Sequence, residues 1–151
     1  DALEGGASVG IVGWDAGGQR QAAASRRDEL PVLLEMLARA QATGVVPAEE
    51  ALRAARARGQ WAGARGLLIT SRADDELVSA LGAQAAGAGP LGVVLMVAPT
   101  FPGAAEDDPQ APAYGECRRA LELVGCAVDL VHRGDDLRLV ALGRAYGQII
   151  R

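Results

Sequence analysis

Ser71, Arg72, Asp74, Asp75 and Glu76 form a dense group of chemically capable side chains, and they directly follow an apolar run, Leu67–Thr70. In an α/β sheet such a strand-to-helix junction lies at the edge where ligands settle, outside the strand carboxyl ends. Arg72 offers a planar fork of donors suited to a carboxylate. Asp74, just ahead of a helical pattern, is suited to capping it. Ser71 with Asp74 falls short of a hydrolase, because no Gly-x-Ser-x-Gly elbow surrounds the serine and both residue types ordinarily serve turns and caps. The junction shows no nucleophile–base pair, phosphate loop or metal cluster.

Other capable residues are few. His132 is the one histidine, and Cys117 and Cys126 are the two cysteines. His132 ends a predicted strand without a base–nucleophile partner and reads as structural. The three together make no convincing zinc set. Cys117 falls on a helical stripe and Cys126 opens a strand, so both read as small buried hydrophobes in a reducing setting. The chain has neither lysine nor asparagine, which excludes a Schiff-base lysine, a P-loop lysine and an asparagine oxyanion donor. The run VGIVG at Val9–Gly13 often opens a dinucleotide fold, yet the next glycines are Gly17 and Gly18, and the required Gly-x-Gly-x-x-Gly spacing fails. Trp14, at a predicted strand end, can anchor a partner or cover the sheet edge. Trp61 reads as packing, and the acidic Glu106–Asp108 run as a solvated loop.

Those residues must be positioned by a chain of 151 residues, a length that suits one domain. Half the residues are hydrophobic but only 3% are aromatic, so the core must come from Val, Leu, Ile and Ala. The formal charge of −4 is mild, with signs interspersed, and carries no nucleic-acid footprint. No apolar stretch is long enough to span a bilayer, and no signal peptide is evident. The opening Asp-Ala-Leu-Glu-Gly-Gly has the pattern of a helix tail with a glycine stop, as expected of a piece of a longer protein.

Val9–Trp14 predicts a buried strand, and Gln19–Ser25 a weaker neighbour beyond a glycine turn. Leu30, Leu33, Leu34 and Leu37 recur at helical spacing, with Pro31 in the first turn and Thr43 and Gly44 as the stop. Pro47 opens a second helix running to about Arg58, its Glu49 and Glu50 well placed for the helix dipole. Gly66–Thr70 predicts a strand, Asp74 a cap, and Leu77, Leu81 and Ala85 the buried stripe of the next helix. Leu91–Ala98 has the unbroken apolar character of a central parallel strand. Pro99–Pro112 reads as a loop. Tyr114, Cys117, Leu121 and Val124 mark a helix, Cys126–Val131 a strand, and Asp135 or Asp136 the cap of a last helix bearing Leu137, Val140, Ala141 and Tyr146. The alternation predicts an α/β fold, a mostly parallel sheet with helices on both faces in a Rossmann-like three-layer arrangement.

Three stretches resemble one family. Ser8–Asp15 (SVGIVGWD) is similar to its second strand. Gly44–Ala55 (GVVPAEEALRAA) resembles its Gly-Gly-Thr-x-Leu-x-x-Ala-Leu segment, and Cys126–Leu137 (CAVDLVHRGDDL) its closing strand and Arg-Gly-Asp-Asp-Leu turn. The family is the bacterial domain of unknown function 58 branch of the von Willebrand factor type A domains. The resemblance implies a first strand and helix upstream of Asp1, with the Asp-x-Ser-x-Ser motif of a metal-ion-dependent adhesion site. Where the family keeps a metal-associated threonine this chain has Val46, and where it keeps an aspartate after the next strand the chain has Ser71 and Arg72. Valine offers no oxygen to a hard cation and arginine adds a positive charge, so the adhesion site is expected to be degenerate and no metal or other cofactor is expected.

The resulting expectation is a non-enzymatic domain that binds a protein partner through Trp14, Asp15, Val46, Ser71, Arg72 and Asp74, with Arg72 as anchor. The resemblance implies the cytoplasmic face of a bacterial membrane. Two alternatives stand beside it: a metal-dependent ligand-binding domain whose ligands lie upstream, and a small α/β enzyme acting on a nucleotide or phosphorylated substrate. Without the family's first strand, the sheet is expected to be open beside Leu67–Thr70. Either Val9–Trp14 closes onto that edge or a homodimer forms across it.

Overall fold

A computed structural model describes residues 8–15, 17–40, 46–57, 66–85, 91–97, 99 and 111–136. The chain divides into two compact units, Asp1–Arg58 and Gly59–Arg151.

In the first unit, β1 (Val9–Asp15) and β2 (Gly18–Ala24) pair antiparallel, with Val9 opposite Ala24 and Asp15 opposite Gly18. Gly18 starts β2 at φ 101°, a conformation that side chains resist and glycine adopts freely. A single 3-10 turn at Arg27–Glu29 leads into α1 (Leu30–Arg39). The Glu29 carboxylate accepts the Ser25 N–H at 2.8 Å, and that bond holds its pKa below the usual carboxylate value. Pro31 sits in the first turn of α1, where a missing N–H costs nothing. The helix packs on β2 and buries Leu33, while Leu30, Leu34 and Leu37 of the predicted stripe are exposed. It ends at Arg39, ahead of the expected stop at Thr43 and Gly44, which lie outside the described residues. Helix α2 (Ala48–Ala57) begins one residue after Pro47 and buries Leu52 and Ala55.

The second unit holds a parallel sheet in the order β3 (Gly66–Thr70), β4 (Leu91–Met96), β5 (Ala127–Val131). The crossovers carry α3 (Asp75–Ala85) and α4 (Ala111–Leu123), which pack on each other. Register places Leu68, Val93 and Val128 in one cross-strand row and Ile69, Val94 and Asp129 in the next. Alternation along a strand sends those rows to opposite faces. Val93 and Val128 are fully buried, together with Leu77 and Leu81 of α3 and Leu121 of α4. On the other face Ile69 is 62% exposed and Val94 half-buried. The α/β class and the central place of β4 agree with the sequence; helices on both faces are not seen among the described residues of this sheet.

Two further boundaries differ from expectation, and one expected element is not described. Pro112, predicted to lie in a loop, falls in the first turn of α4, which starts at Ala111, and proline is harmless there. The strand predicted to Ala98 ends at Met96, although Val97 N–H still donates to Val131 C=O at 2.8 Å. The expected helix carrying Leu137, Val140, Ala141 and Tyr146 lies outside the described residues. Within the first unit β1 pairs with β2, and among the described residues of the second unit β3 pairs with β4.

Leu121 and Leu123 give a paired test, because one is fully buried and the other 88% exposed on the same helix. Leu121→Ala should lower unfolding stability by about 2–5 kcal/mol in urea titration, and Leu123→Ala by no more than about 0.5 kcal/mol.

Candidate functional site

Strand β3 stops at Thr70, and α3 begins at Asp75 after four intervening residues. The intervening bend is held by side chains. Thr70 Oγ1 accepts the Arg72 N–H at 3.1 Å. Asp74 Oδ1 accepts the Leu77 N–H at 2.9 Å, so Asp74 is the N-cap expected from the sequence. Its other oxygen, Oδ2, accepts Arg72 Nε and lies 2.7 Å from Nη2 as well. Arg72 Nη2 also donates to Glu76 Oε2 at 3.0 Å. The planar guanidinium therefore bridges two carboxylates from its own loop and helix.

From the far side, Tyr114 of α4 donates its hydroxyl to the Ser71 carbonyl at 2.8 Å. The ring is buried and its polar end finds a backbone acceptor. Ser71 itself is exposed, and its part in the structure is played by its main chain. The junction is thus clamped by a capping carboxylate on one side and a tyrosine from the next crossover on the other.

Cys117, one turn beyond Tyr114, is buried. Desolvation pushes its thiol pKa up, and the negative charges of Asp74 and Asp75 add to the effect. Cys126 is raised by burial alone. Both thiols are free and buried, as the sequence indicates. High thiol pKa values disfavour the nucleophilic thiolate.

At the carboxyl end of β5, Asp135 Oδ2 accepts the His132 N–H at 2.7 Å, and Asp135 N–H donates to the His132 carbonyl at 3.2 Å. With Gly134 at φ 90°, these bonds close a tight turn. Asp135 serves this turn, and His132 lies 3.5 Å from the same carboxylate through Nδ1.

The six residues singled out from sequence divide between the units. Ser71, Arg72 and Asp74 come together at the β3–α3 junction. Trp14, half-buried near the end of β1, Asp15 at its last position and half-buried Val46 just ahead of α2 belong to the first unit. Two contributors were not among those six. Glu76 could have been found, because it stands four residues after Arg72 on a predicted helix. Tyr114 had no local signal, since its acceptor is 43 residues away. Among the described residues, no group of three or more His, Cys, Asp and Glu side chains is placed to hold a metal ion. Arg72 occupies the oxygens of Asp74 and Glu76 that a hard cation would need, so the junction fits an ion pair better than Mg²⁺.

No family model matches the chain, and no curated protein or solved structure matches it either.

Two outcomes follow. Asp74→Ala removes the cap and one carboxylate of Arg72, and should cost about 1–2 kcal/mol in chemical denaturation, against about 1 kcal/mol for Tyr114→Phe. Both thiols hold their protons more tightly in the folded state than in the unfolded state. Stability should therefore be fully present below the ordinary thiol pKa, about 8.5, and decline as pH rises through the higher folded values. Melting temperature measured across that range, with a Cys117→Ala/Cys126→Ala chain as reference, checks the sign.

Proposed function

We propose that this chain is a non-enzymatic protein–protein interaction domain and that the β3–α3 junction is its working surface. The observation that carries the reading is the arrangement of Arg72: a guanidinium fixed by Asp74 and Glu76 with its side chain 37% exposed at the strand carboxyl ends. Its residues are spent on orienting one another and the backbone, and they form a rigid polar surface. A nucleophile paired with a base is not among the described residues of the junction. The resemblance to the domain of unknown function 58 branch of the von Willebrand factor type A domains supports the same reading, with a degenerate adhesion site. It also suggests a place on the inner face of a bacterial membrane. No helix among the described residues is long and apolar enough to cross one.

In this reading Arg72 receives a carboxylate from the partner, which takes over the place of Glu76. Trp14, Asp15 and Val46 are proposed as further contact residues of the same domain. Cross-linking followed by affinity capture from cells, with Arg72→Glu and Glu76→Gln beside the wild type, tests it. Arg72→Glu should lose the partner, while Glu76→Gln should keep it or bind more tightly, because one internal competitor for the fork is gone. Retention of every wild-type partner by Arg72→Glu overturns the proposal.

A further inference from the structure

One peptide group at the β3–α3 junction is held at both ends by side chains from different elements. The Ser71 carbonyl and the Arg72 N–H belong to the same planar unit. Its oxygen accepts the Tyr114 hydroxyl of α4 at 2.8 Å. Its N–H donates to Oγ1 of Thr70, the last residue of β3, at 3.1 Å. A peptide in such a bend lies outside the sheet and helix ladders, and its polar groups need other partners. Both partners are stiff. Thr70 is β-branched and restricted at χ1, and the Tyr114 ring is buried at 2% exposure, locked by packing.

We infer that Thr70 and Tyr114 are positioning residues for Arg72, and that the guanidinium is correctly presented only while α4 keeps its seat. The inference rests on the reading of this junction as the working surface and adds what controls it. Locking the peptide plane places the N and Cα atoms of Arg72, the root of its side chain. Two residues on, Asp74 is placed by the bond it accepts from the Leu77 N–H. The backbone between those fixed points has few torsions left to vary. The head of the side chain is held by Nε, which donates to Asp74 Oδ2 at 2.7 Å. A short charge-assisted bond of this kind tolerates little drift at the root. Each of β3, α3 and the neighbouring α4 contributes to the assembly, through Thr70, the Asp74 cap and Tyr114. Because α3 and α4 pack on each other, a shift of α4 reaches Arg72 by way of the Ser71 carbonyl. Two bonds that merely stabilised the fold would leave Arg72 unchanged when removed, and this separates the two roles.

The test follows the Arg72 Nε–H in the whole chain by proton–nitrogen NMR, its signal assigned by its disappearance in Arg72→Gln. In the wild type this proton should exchange with solvent more slowly than in exposed arginines, because Asp74 holds it. Tyr114→Phe and Thr70→Val each remove one oxygen with little change of shape. Each should shift the signal and speed its exchange about three- to tenfold, the equivalent of one hydrogen bond. Thr70→Ser keeps the acceptor and should keep the wild-type rate. Leu121→Val loosens the packing of the same helix without removing a hydrogen bond, and should leave the Arg72 signal in place. Backbone amide spectra check that each variant folds; if Tyr114→Phe does not, Thr70→Val against Thr70→Ser decides. An unchanged Arg72 Nε–H in folded Tyr114→Phe or in Thr70→Val overturns the inference. So does Leu121→Val speeding the exchange as much as Tyr114→Phe, since both bonds would then serve stability alone. No partner enters this measurement, so its failure is separable from failure of the interaction-domain reading, which partner capture by Arg72→Glu addresses.

Discussion

The carboxylate of Asp74 is the constraint on which the second unit turns. A parallel strand must hand the chain to a helix that packs back over the sheet, and the bend between them leaves helix N–H groups without partners. Asp74 supplies one of those partners at Leu77 with one oxygen and grips Arg72 with the other. The same residue thus sets where α3 starts and where the guanidinium stands. Leu77 and Leu81 are fully buried once α3 begins there, since a start displaced by one residue would rotate both by roughly 100° about the helix axis. The polar network at the surface and the apolar row beneath it share this origin.

Local physics explains what could be read from the sequence and what could not. Gly66–Thr70 and the Asp74 cap were legible because an apolar run bounded by turn residues, and an aspartate ahead of a helical stripe, carry their cause within a few residues. The hairpin of β1 and β2 was legible for the same reason, through the glycines around it. Register and sheet membership were not, because they depend on which strands meet. Nothing within Val9–Trp14 sets its register against Gly18–Ala24. The stripe of α1 shows the same limit: four leucines at helical spacing predict a helix correctly, but only Leu33 is taken into the packing on β2. Periodicity reports which face is apolar, and the partners decide how much of it is used.

The candidate site divides along that line too. Asp74 as cap was readable, whereas Arg72 as an anchor was only half of the arrangement. Glu76 lies one helical turn onward and reaches the same guanidinium. Tyr114, arriving from α4, fixes the carbonyl of Ser71 and converts an exposed serine from a candidate hydroxyl into a main-chain acceptor.

The way Arg72 is held determines how a partner could use it. Asp74 takes both Nε and Nη2, is half-buried and also caps α3, so displacing it would sacrifice the helix start. Glu76 makes a single contact at 3.0 Å from a carboxylate whose side chain is 72% exposed. Exposed pairs of this kind contribute about 0–1 kcal/mol, after screening and side-chain entropy. A carboxylate from a partner would exchange one weak surface pair for another and leave the stronger inner pair intact. Because the inner pair already fixes the plane of the guanidinium, most of the orientational cost of binding is met before the partner arrives. The affinity of such a surface would rest on this preorganisation more than on any net gain of ion pairs, and its selectivity on the direction in which Arg72 is made to point.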